Sequence, residues 1–216
     1  MRSYRILYGL ALLPIVAVVL FAVLRPIKVL PRIRLAPGYA LVDQNGDRVS
    51  SEEMRGQITL YGFTSTGCGP LCAESEDLMA EVAQQLESRD DPIPVELVMI
   101  ALDDENDTPE ALRTYAASKG MEPARRLLTG DAQQVKLVVG GGFSTFYEKD
   151  SSGQIQIDPA LMLTDGVGIL RAEYRGNLPS ASQILSGIDL LTQEAHNSTG
   201  LNRYAYEAAH LFLCYP

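Results

Sequence analysis

The stretch LYGFTSTGCGPLCAESE, residues 60–76, decides the fold of this chain of 216 residues. Its start belongs to an apolar run, residues 59–63, which predicts a buried strand. Small residues at 64–67 interrupt the run, and a helix with Cys68 and Cys72 at its start is predicted to follow. We therefore expect a strand, a loop and a helix, with the cysteine pair at the turn between them.

Cys68 and Cys72 are the candidate catalytic residues. Residues four apart in a helical turn share one face, with Cα atoms about 6 Å apart, so the two thiols can form a disulfide or bind one soft ion such as Cu(I). The partial positive charge of the helix N-terminus favours the reactive thiolate. The arrangement is that of thioredoxin, with three residues between the cysteines instead of two. A chance pair of buried cysteines is the weaker interpretation, because the chain has only three cysteines.

The charge of the chain is unevenly distributed. Residues 1–35 contain six Lys or Arg side chains and no acid, whereas the remainder has 12 basic against 27 acidic side chains, a formal charge of −15. Phosphate contacts need clustered Lys and Arg, so this acidic body argues against nucleic-acid binding. It suits a partner with a basic docking face, although an acidic surface also serves solubility.

Residues 6–24 are apolar and uncharged, and they are about long enough to cross a bilayer as one helix. A cleaved signal peptide is the alternative, but its apolar core would be shorter and a small-residue cleavage site would follow it. We expect an uncleaved membrane anchor. Basic residues flank both ends, whereas paired cysteines usually work on the oxidising side of a membrane. We therefore expect the body on the non-cytoplasmic side, at a bacterial plasma membrane rather than the mitochondrial inner membrane.

Three parts are predicted: a membrane anchor and basic tether (1–36), a thioredoxin-like domain (37–195) and an apolar tail (196–216). Within the domain the patterns predict, in order, a hairpin at 39–50, strands at 59–63 and 95–102, helices at 70–89, 109–119 and 125–139, an extended segment at 143–147, a hairpin at 160–174 and a helix at 180–194. The fold class is α/β, with a central mixed sheet flanked by helices and an N-terminal transmembrane helix.

Two further groups of residues suggest a metal site, but each has a simpler explanation. The acids at 103–107 lack the alternation and glycine of a calcium loop, and we expect a solvated loop that complements the dipole of the helix starting at Pro109. In the tail, His210 and Cys214 have metal-ligand spacing. A buried thiol and an interfacial histidine explain them more simply. The tail is too short to cross a membrane and is expected to dock on the body, a partner or the bilayer interface.

Several motifs in order resemble the Sco/SenC family, and the resemblance covers roughly residues 37–194. The matching segments are LVDQNG at 41–46, MRG at 54–56, GFTSTGC at 62–68 with Cys72, Asp103 with DTPE at 107–110, residues 112–117, LTG at 128–130, YEK at 147–149 and LRAEYRG at 170–176. The resemblance implies a membrane-anchored, thioredoxin-like protein that serves copper-site assembly in cytochrome c oxidase.

One ligand of the family's copper site is missing from this chain. The family binds copper with the two cysteines and a histidine just before the late hairpin, where this chain reads QIDP at 156–159. Ile157 or Pro159 stands at the histidine position, depending on a short gap. The proline that follows the family's second cysteine is replaced by Ala73. Pro159 also resembles the cis-proline that faces the dithiol in thioredoxins, with an ordinary trans proline as an equal alternative.

Three functions are consistent with these residues. The first is thiol-disulfide oxidoreduction by Cys68 and Cys72 on the cysteines of a copper site, with Cys68 attacking and Cys72 resolving. The second is carriage of Cu(I) by the same two thiolates, as a metallochaperone. The third is a non-catalytic accessory subunit of a respiratory membrane complex. The expected partners are the membrane and subunits of a respiratory oxidase or another complex of the electron transport chain.

Overall fold

The computed structural model describes residues 27–68, 70–121 and 125–212, together with Leu12, Leu13, Val16 and Val19. Its described strands are β1 (Arg34–Leu35), β2 (Ala40–Asp43), β3 (Arg48–Ser50), β4 (Ile58–Thr64), β5 (Val95–Ala101), β6 (Arg126–Thr129), β7 (Tyr147–Lys149), β8 (Ile155–Ile157), β9 (Ala160–Thr164) and β10 (Ile169–Arg175). Its described α-helices are α1 (Pro70–Glu87), α2 (Pro109–Lys119), α3 (Ala132–Val135), α4 (Ala181–Asn197) and α5 (Asn202–Phe212). A 3-10 helix covers Ser51–Met54, and a π-helix covers Lys136–Gly142.

The chain divides into two compact units. One is Arg32–Thr192, which contains the strands and the cysteine pair. The other combines the chain ends, Met1–Pro31 and Gln193–Pro216. The three predicted parts of the chain have different boundaries and stay a prediction.

A mixed sheet in the order β1-β10-β9-β4-β5-β6-β2-β3 organises the larger unit. Strand β4 lies near the centre, pairs in parallel with β5 and antiparallel with β9, and is buried along all seven residues. Strand β6 extends the parallel part beside β5, while β2 and β10 run antiparallel to their neighbours. A strand buried on both faces is expected from an uninterrupted apolar run. The predicted central mixed sheet and its organising strand are confirmed.

Local signals place several elements where the sequence predicts them. The Thr108 side chain accepts a hydrogen bond from the Ala111 amide at 3.3 Å, Pro109 is the first residue of α2, and Gly120 ends the helix with φ 62°. A capping side chain, a first-turn proline and a C-terminal glycine of this kind typically bound a helix. Strands β2 and β3 form the predicted hairpin, with Gly46 at φ 91° in its turn.

Residues 125–139 do not form the predicted helix. The Arg126–Thr129 segment is β6, which pairs with β5 on one side and with β2 on the other, and Leu127 and Leu128 are fully buried. A short apolar run does not reveal which strands will flank it, and here pairing with both neighbours overrides the helical pattern. Helical structure begins only at Ala132, and the glycines at 140–142 lie inside the π-helix instead of ending it.

The prediction of an extended segment at 143–147 is also wrong in detail. Ser144 has φ 54°, and the strand β7 begins only at Tyr147. Strand β7 forms a hairpin with β8, which the sequence did not predict, around a turn at 150–153. In that turn the Gly153 amide donates to the Asp150 carbonyl at 3.0 Å.

The proline-punctuated segment before the domain is more structured than a tether. Strand β1 pairs antiparallel with β10, with Arg34 opposite Leu170, at the edge of the main sheet. Val29 and Leu30 are buried. The backbone hydrogen bonds of this segment are therefore provided by a strand more than a hundred residues later.

The expected membrane anchor at residues 6–24 lies largely outside the described residues. Leu12, Leu13, Val16 and Val19 are the described members; they are helical and exposed. In the part of the chain that the structure describes, no helix is both long and apolar enough to cross a membrane.

Candidate dithiol site

Cys68 and Cys72 form a disulfide at the point where β4 passes into α1. Their Cα atoms lie 5.8 Å apart, close to the spacing predicted from the sequence. A turn brings Cys68 into place, because its amide donates to the Ser65 carbonyl at 3.0 Å. Cys68 therefore precedes the helix and Cys72 lies in its first turn.

The two cysteines differ in accessibility. Cys72 is 2% exposed and belongs to the apolar core that surrounds the end of β4. Cys68 is only partly buried and packs against the same core from its edge. The first thiol of the pair is consequently the one that a partner can reach.

The β7–β8 hairpin packs on the cysteine pair. Ile155 and Ile157 are 4% and 5% exposed and belong, with Cys72, to the core cluster, while Tyr147 packs against that cluster. The Ile155 carbonyl oxygen lies 4.0 Å from Cys68 Sγ. Burial raises the pKa of Tyr147, so its phenol stays neutral at physiological pH. The disulfide therefore faces the apolar side of this hairpin.

Asp107 holds the loop that precedes Cys68. Its carboxylate accepts hydrogen bonds from the Thr66 amide at 2.8 Å and the Thr66 hydroxyl at 2.6 Å, and its other oxygen accepts from the Asp103 amide at 3.0 Å. Asp107 is 1% exposed, so these charge-assisted bonds are shielded from water. The cysteine loop is thereby fixed to the loop that follows β5.

Asp103 connects the same loop to the hairpin. It accepts a hydrogen bond from Asn106 at 2.8 Å and forms an ion pair with Lys149 of β7 at 3.1 Å. Burial opposes ionisation of Asp103, but the bonds from Asn106 and Lys149 outweigh it and hold the pKa below its ordinary value. The prediction of a solvated acidic loop is wrong for Asp103 and Asp107, which are buried to form hydrogen bonds, and holds for Asp104 and Glu105, which are exposed.

Glu76 is a buried acid in the cysteine helix that sequence reasoning missed. It lies one turn after Cys72 and accepts hydrogen bonds from the Thr64 hydroxyl and from Tyr115, the latter at 2.8 and 2.9 Å. Burial and the neighbouring Glu76 carboxylate both raise the pKa of Tyr115. The position of Glu76 on the apolar face of α1 was the sequence signal that could have identified it, since a charge on that face needs buried partners.

Ile157 and Pro159, the residues predicted to stand at the family's histidine position, have no metal-binding side chain. Ile157 points into the cluster that contains Cys72, and Pro159 is buried immediately before β9, where its carbonyl accepts from the Gly176 amide at 2.9 Å. The cis conformation proposed for Pro159 stays a prediction. Among the described residues, no group of three His, Cys, Asp or Glu side chains is placed to bind a metal ion.

In the unit formed by the chain ends, His210 pairs with Glu194. Its Nε2 lies 2.8 Å from Glu194 Oε1, and both side chains are nearly buried. His196 is exposed. Cys214, the predicted second member of the pair, lies outside the described residues.

The comparisons with known proteins agree on one family. The model of the family SCO1/SenC matches residues 29–191. The SCO2-like protein of Rickettsia prowazekii is 33% identical over 122 residues, which cover 56% of this chain and 57% of that protein. The chain thus spans little more than half the length of this relative.

Solved structures support the fold. Arabidopsis thaliana ScoI with copper bound superposes with a TM-score of 0.63 at 20% identity, covering 75% of this chain and 98% of that one. BsSco, described as a member of the Sco family of cytochrome c oxidase assembly proteins, gives 0.65 at 22% identity, covering 76% and 98%. At this level of identity the likeness establishes the thioredoxin-like Sco fold alone.

Proposed function

The chain belongs to the SCO1/SenC family, and from this membership we propose that it serves the assembly of a copper centre in a respiratory oxidase of the cytochrome c oxidase type. Its contribution is thiol-disulfide exchange through Cys68 and Cys72. The observation that carries this proposal is the disulfide between a partly exposed and a buried cysteine at a helix start. A retained redox pair of this kind does not favour the alternative of a non-catalytic accessory subunit.

The reaction begins from the reduced protein. The Cys68 thiolate attacks one sulfur of a partner disulfide, which forms a mixed disulfide and releases a partner thiolate that takes up a proton. Cys72, already within bonding distance, then attacks Cys68 Sγ, loses its proton and releases the second partner thiol. Two electrons pass to the partner, whose cysteines become available to bind copper. A dithiol reductant must restore the protein afterwards.

The cysteine pair of this chain is suited to carry copper in the Cu(I) state. Two thiolates suffice for Cu(I), which accepts two soft ligands. Among the described residues, no His, Asp or Glu side chain joins the two cysteines in a group that could supply the harder donor that Cu(II) prefers. We therefore propose that Cys68 and Cys72 carry Cu(I), with any further ligand supplied by the receiving protein.

Single-thiol variants test the exchange reaction. Full-length protein carrying Cys214→Ala is combined with Cys72→Ser or with Cys68→Ser, reduced, and mixed with oxidised glutathione. Mass spectrometry should show glutathionylation at Cys68 at least about tenfold faster than at Cys72, because only the first thiol is accessible. Equal rates, or no reaction at either thiol, would contradict the assigned roles.

Metal analysis and cell assays extend the test to copper and to the oxidase. The reduced Cys214→Ala protein should retain Cu(I) on gel filtration, and the added Cys68→Ser should abolish retention. Cells lacking the chain should lose oxidase activity, and wild-type protein but not Cys68→Ser should restore it. Restoration by Cys68→Ser would show that the dithiol is dispensable.

We also propose that residues 6–24 anchor the domain on the non-cytoplasmic side of the membrane. The support is an apolar, uncharged segment of bilayer length at the sequence level. A membrane-impermeant amine reagent should label the exposed lysines of the domain in intact cells. Labelling that occurs only after lysis would reverse the orientation.

A further inference from the structure

The C-terminal helix α5 belongs to the unit formed by the chain ends, whereas the dithiol site lies in the other unit. The helix covers Asn202–Phe212, beyond the residues 29–191 that the family model matches. Helices α4 and α5 are joined by a short turn in which Gly200 has φ 56°. The helix is therefore an addition to the family domain, and its surface calls for a separate explanation.

The side of α5 that packs against the end of α4 carries polar groups. His210 Nε2 lies 2.8 Å from Glu194 Oε1, with exposed side-chain fractions of 8% and 10%. The Tyr206 hydroxyl donates to the Gln193 carbonyl at 3.4 Å. Ala209, which lies between Tyr206 and His210 in the sequence, is fully buried. Polar side chains on the inner side of a helix are the reverse of the pattern expected for a helix that faces water.

The outer side carries large exposed apolar side chains. Leu201, just before α5, and Tyr204 and Leu211 within it are 86%, 73% and 78% exposed. The helical period places Tyr204 and Leu211 on one face, with the charged Glu207 between them. We call this the tail face. Two large apolar side chains at such exposure on one short helix, with a third directly before it, indicate a surface that is covered in use.

The nature of the cover follows from the unit to which α5 belongs. That unit also contains the N-terminal segment, whose described members Leu12, Leu13, Val16 and Val19 are 59%, 65%, 45% and 54% exposed. The sequence of residues 6–24 has no charge, and basic side chains follow it. An apolar segment of bilayer length in the same compact unit points to lipid as the medium around the tail face.

We propose that the tail face inserts into the headgroup region of a phospholipid bilayer, beside the N-terminal anchor. At 11 residues α5 is about 16 Å long, too short to cross the hydrocarbon core, so it lies in the interface. Tyr204 is a residue type enriched at that depth, and Arg203 beside it suits anionic headgroups. This inference rests on the membrane anchor of the proposed function.

Because the chain contains no tryptophan, the fluorescence of one introduced tryptophan reports on that position alone. Two full-length variants, Tyr204→Trp and Phe146→Trp, each contain a single tryptophan at sites of nearly equal exposure, 73% and 74%. Each is reconstituted in vesicles of phosphatidylcholine with a minor fraction of phosphatidylglycerol, and flotation establishes membrane association. Phosphatidylcholine brominated near the headgroup then quenches tryptophans that lie in the interface.

We expect Trp fluorescence at position 204 to be quenched at least about twofold more strongly than at position 146. Adding Leu211→Gln to Tyr204→Trp should weaken the quenching while leaving flotation unchanged. Flotation with equal quenching at both positions would overturn the tail-face proposal and leave the anchor standing. Failure to float would overturn the anchor, and the tail-face proposal with it.

Discussion

At the scale of single residues, the site is defined as much by what surrounds the cysteines as by the cysteines themselves. Cys72 is buried in an apolar cluster, and Ile157 of β8 belongs to that cluster. Ile157 also stands at one of the two positions that align with the family's histidine. We therefore predict that the side chain at this position decides which oxidation state of copper the pair can hold.

Replacing Ile157 with histidine tests this dependence. Wild-type protein should bind Cu(I) but show little stable Cu(II)-thiolate absorption, because two thiolates tend to reduce Cu(II) and form the disulfide. Ile157→His should retain Cu(II), since imidazole adds a harder donor. Visible spectroscopy after Cu(II) addition measures the difference, with Leu137→His at an exposed apolar site as the control. Wild-type protein that holds Cu(II) as stably as Ile157→His would contradict the argument.

The buried Asp103 should make stability depend on pH. Its depressed pKa means that its contribution is present above the unfolded-state pKa and is lost as pH falls through the folded-state pKa. Asp103→Asn should therefore lower the free energy of unfolding by about 1–2 kcal/mol at pH 7. The difference from wild type should close as the pH falls through the lowered pKa of Asp103. Urea unfolding at several pH values measures it.

Asp104→Asn provides the matched control for that prediction. Asp104 is the exposed neighbour, and its replacement removes the same formal charge from the same loop. Its unfolding free energy should stay within about 0.5 kcal/mol of wild type at each pH. A similar loss in both variants would assign the effect to net charge and not to the bonds of Asp103.

At the scale of elements, the segment between the π-helix and β7 is held by two arginines from distant strands. Arg34 of β1 donates to the Gly142 carbonyl, and Arg175 of β10 donates to the carbonyls of Phe143 and Ser144. Both guanidinium groups also pair with Glu173. These bonds stabilise the unusual backbone of Ser144 and fix the start of the hairpin that covers the disulfide.

Gly142 packs so closely against Pro37 that a Cβ atom would not fit between them. A Cβ there would lie 2.3 Å from Pro37 Cβ and 3.3 Å from the Leu137 carbonyl oxygen, so Gly142→Ala forces the backbone apart. We expect a loss of about 1–3 kcal/mol in unfolding free energy by urea titration. Gly141→Ala is the control, since a Cβ there meets nothing within 4 Å and should be neutral or slightly stabilising. Equal effects at both glycines would refute this packing argument.

At the scale of the whole molecule, the disulfide links the redox state of the site to the stability of the fold. The bridge joins residues separated by 4 in the sequence, a short loop for which chain entropy in the unfolded state predicts a contribution of about 2 kcal/mol. Reduction should lower the unfolding free energy by about that amount. Denaturant titration with and without dithiothreitol measures it, and Cys72→Ser should show no response to the reductant. A wild-type protein equally stable in both states would contradict the expectation.

Much of the fold could be predicted from the sequence because its signals are local. The strand before the cysteines, the hairpin around Gly46 and the helix capped by Thr108 and ended by Gly120 each depend on residues a few positions apart. The disulfide belongs to the same group, since four residues separate its cysteines. The local sequence around each of these features therefore contains the information needed to predict it.

Only the tertiary structure decided the rest, because those features depend on partners far along the chain. Residues 126–129 became a strand through pairing with β5 and β2, which overrode a pattern that suggested a helix. Asp107 and Asp103 were buried because Thr66 and Lys149, 41 and 46 residues away, provide donors for their carboxylates. A buried carboxylate is stable only when such donors converge on it, and convergence is a property of the folded chain.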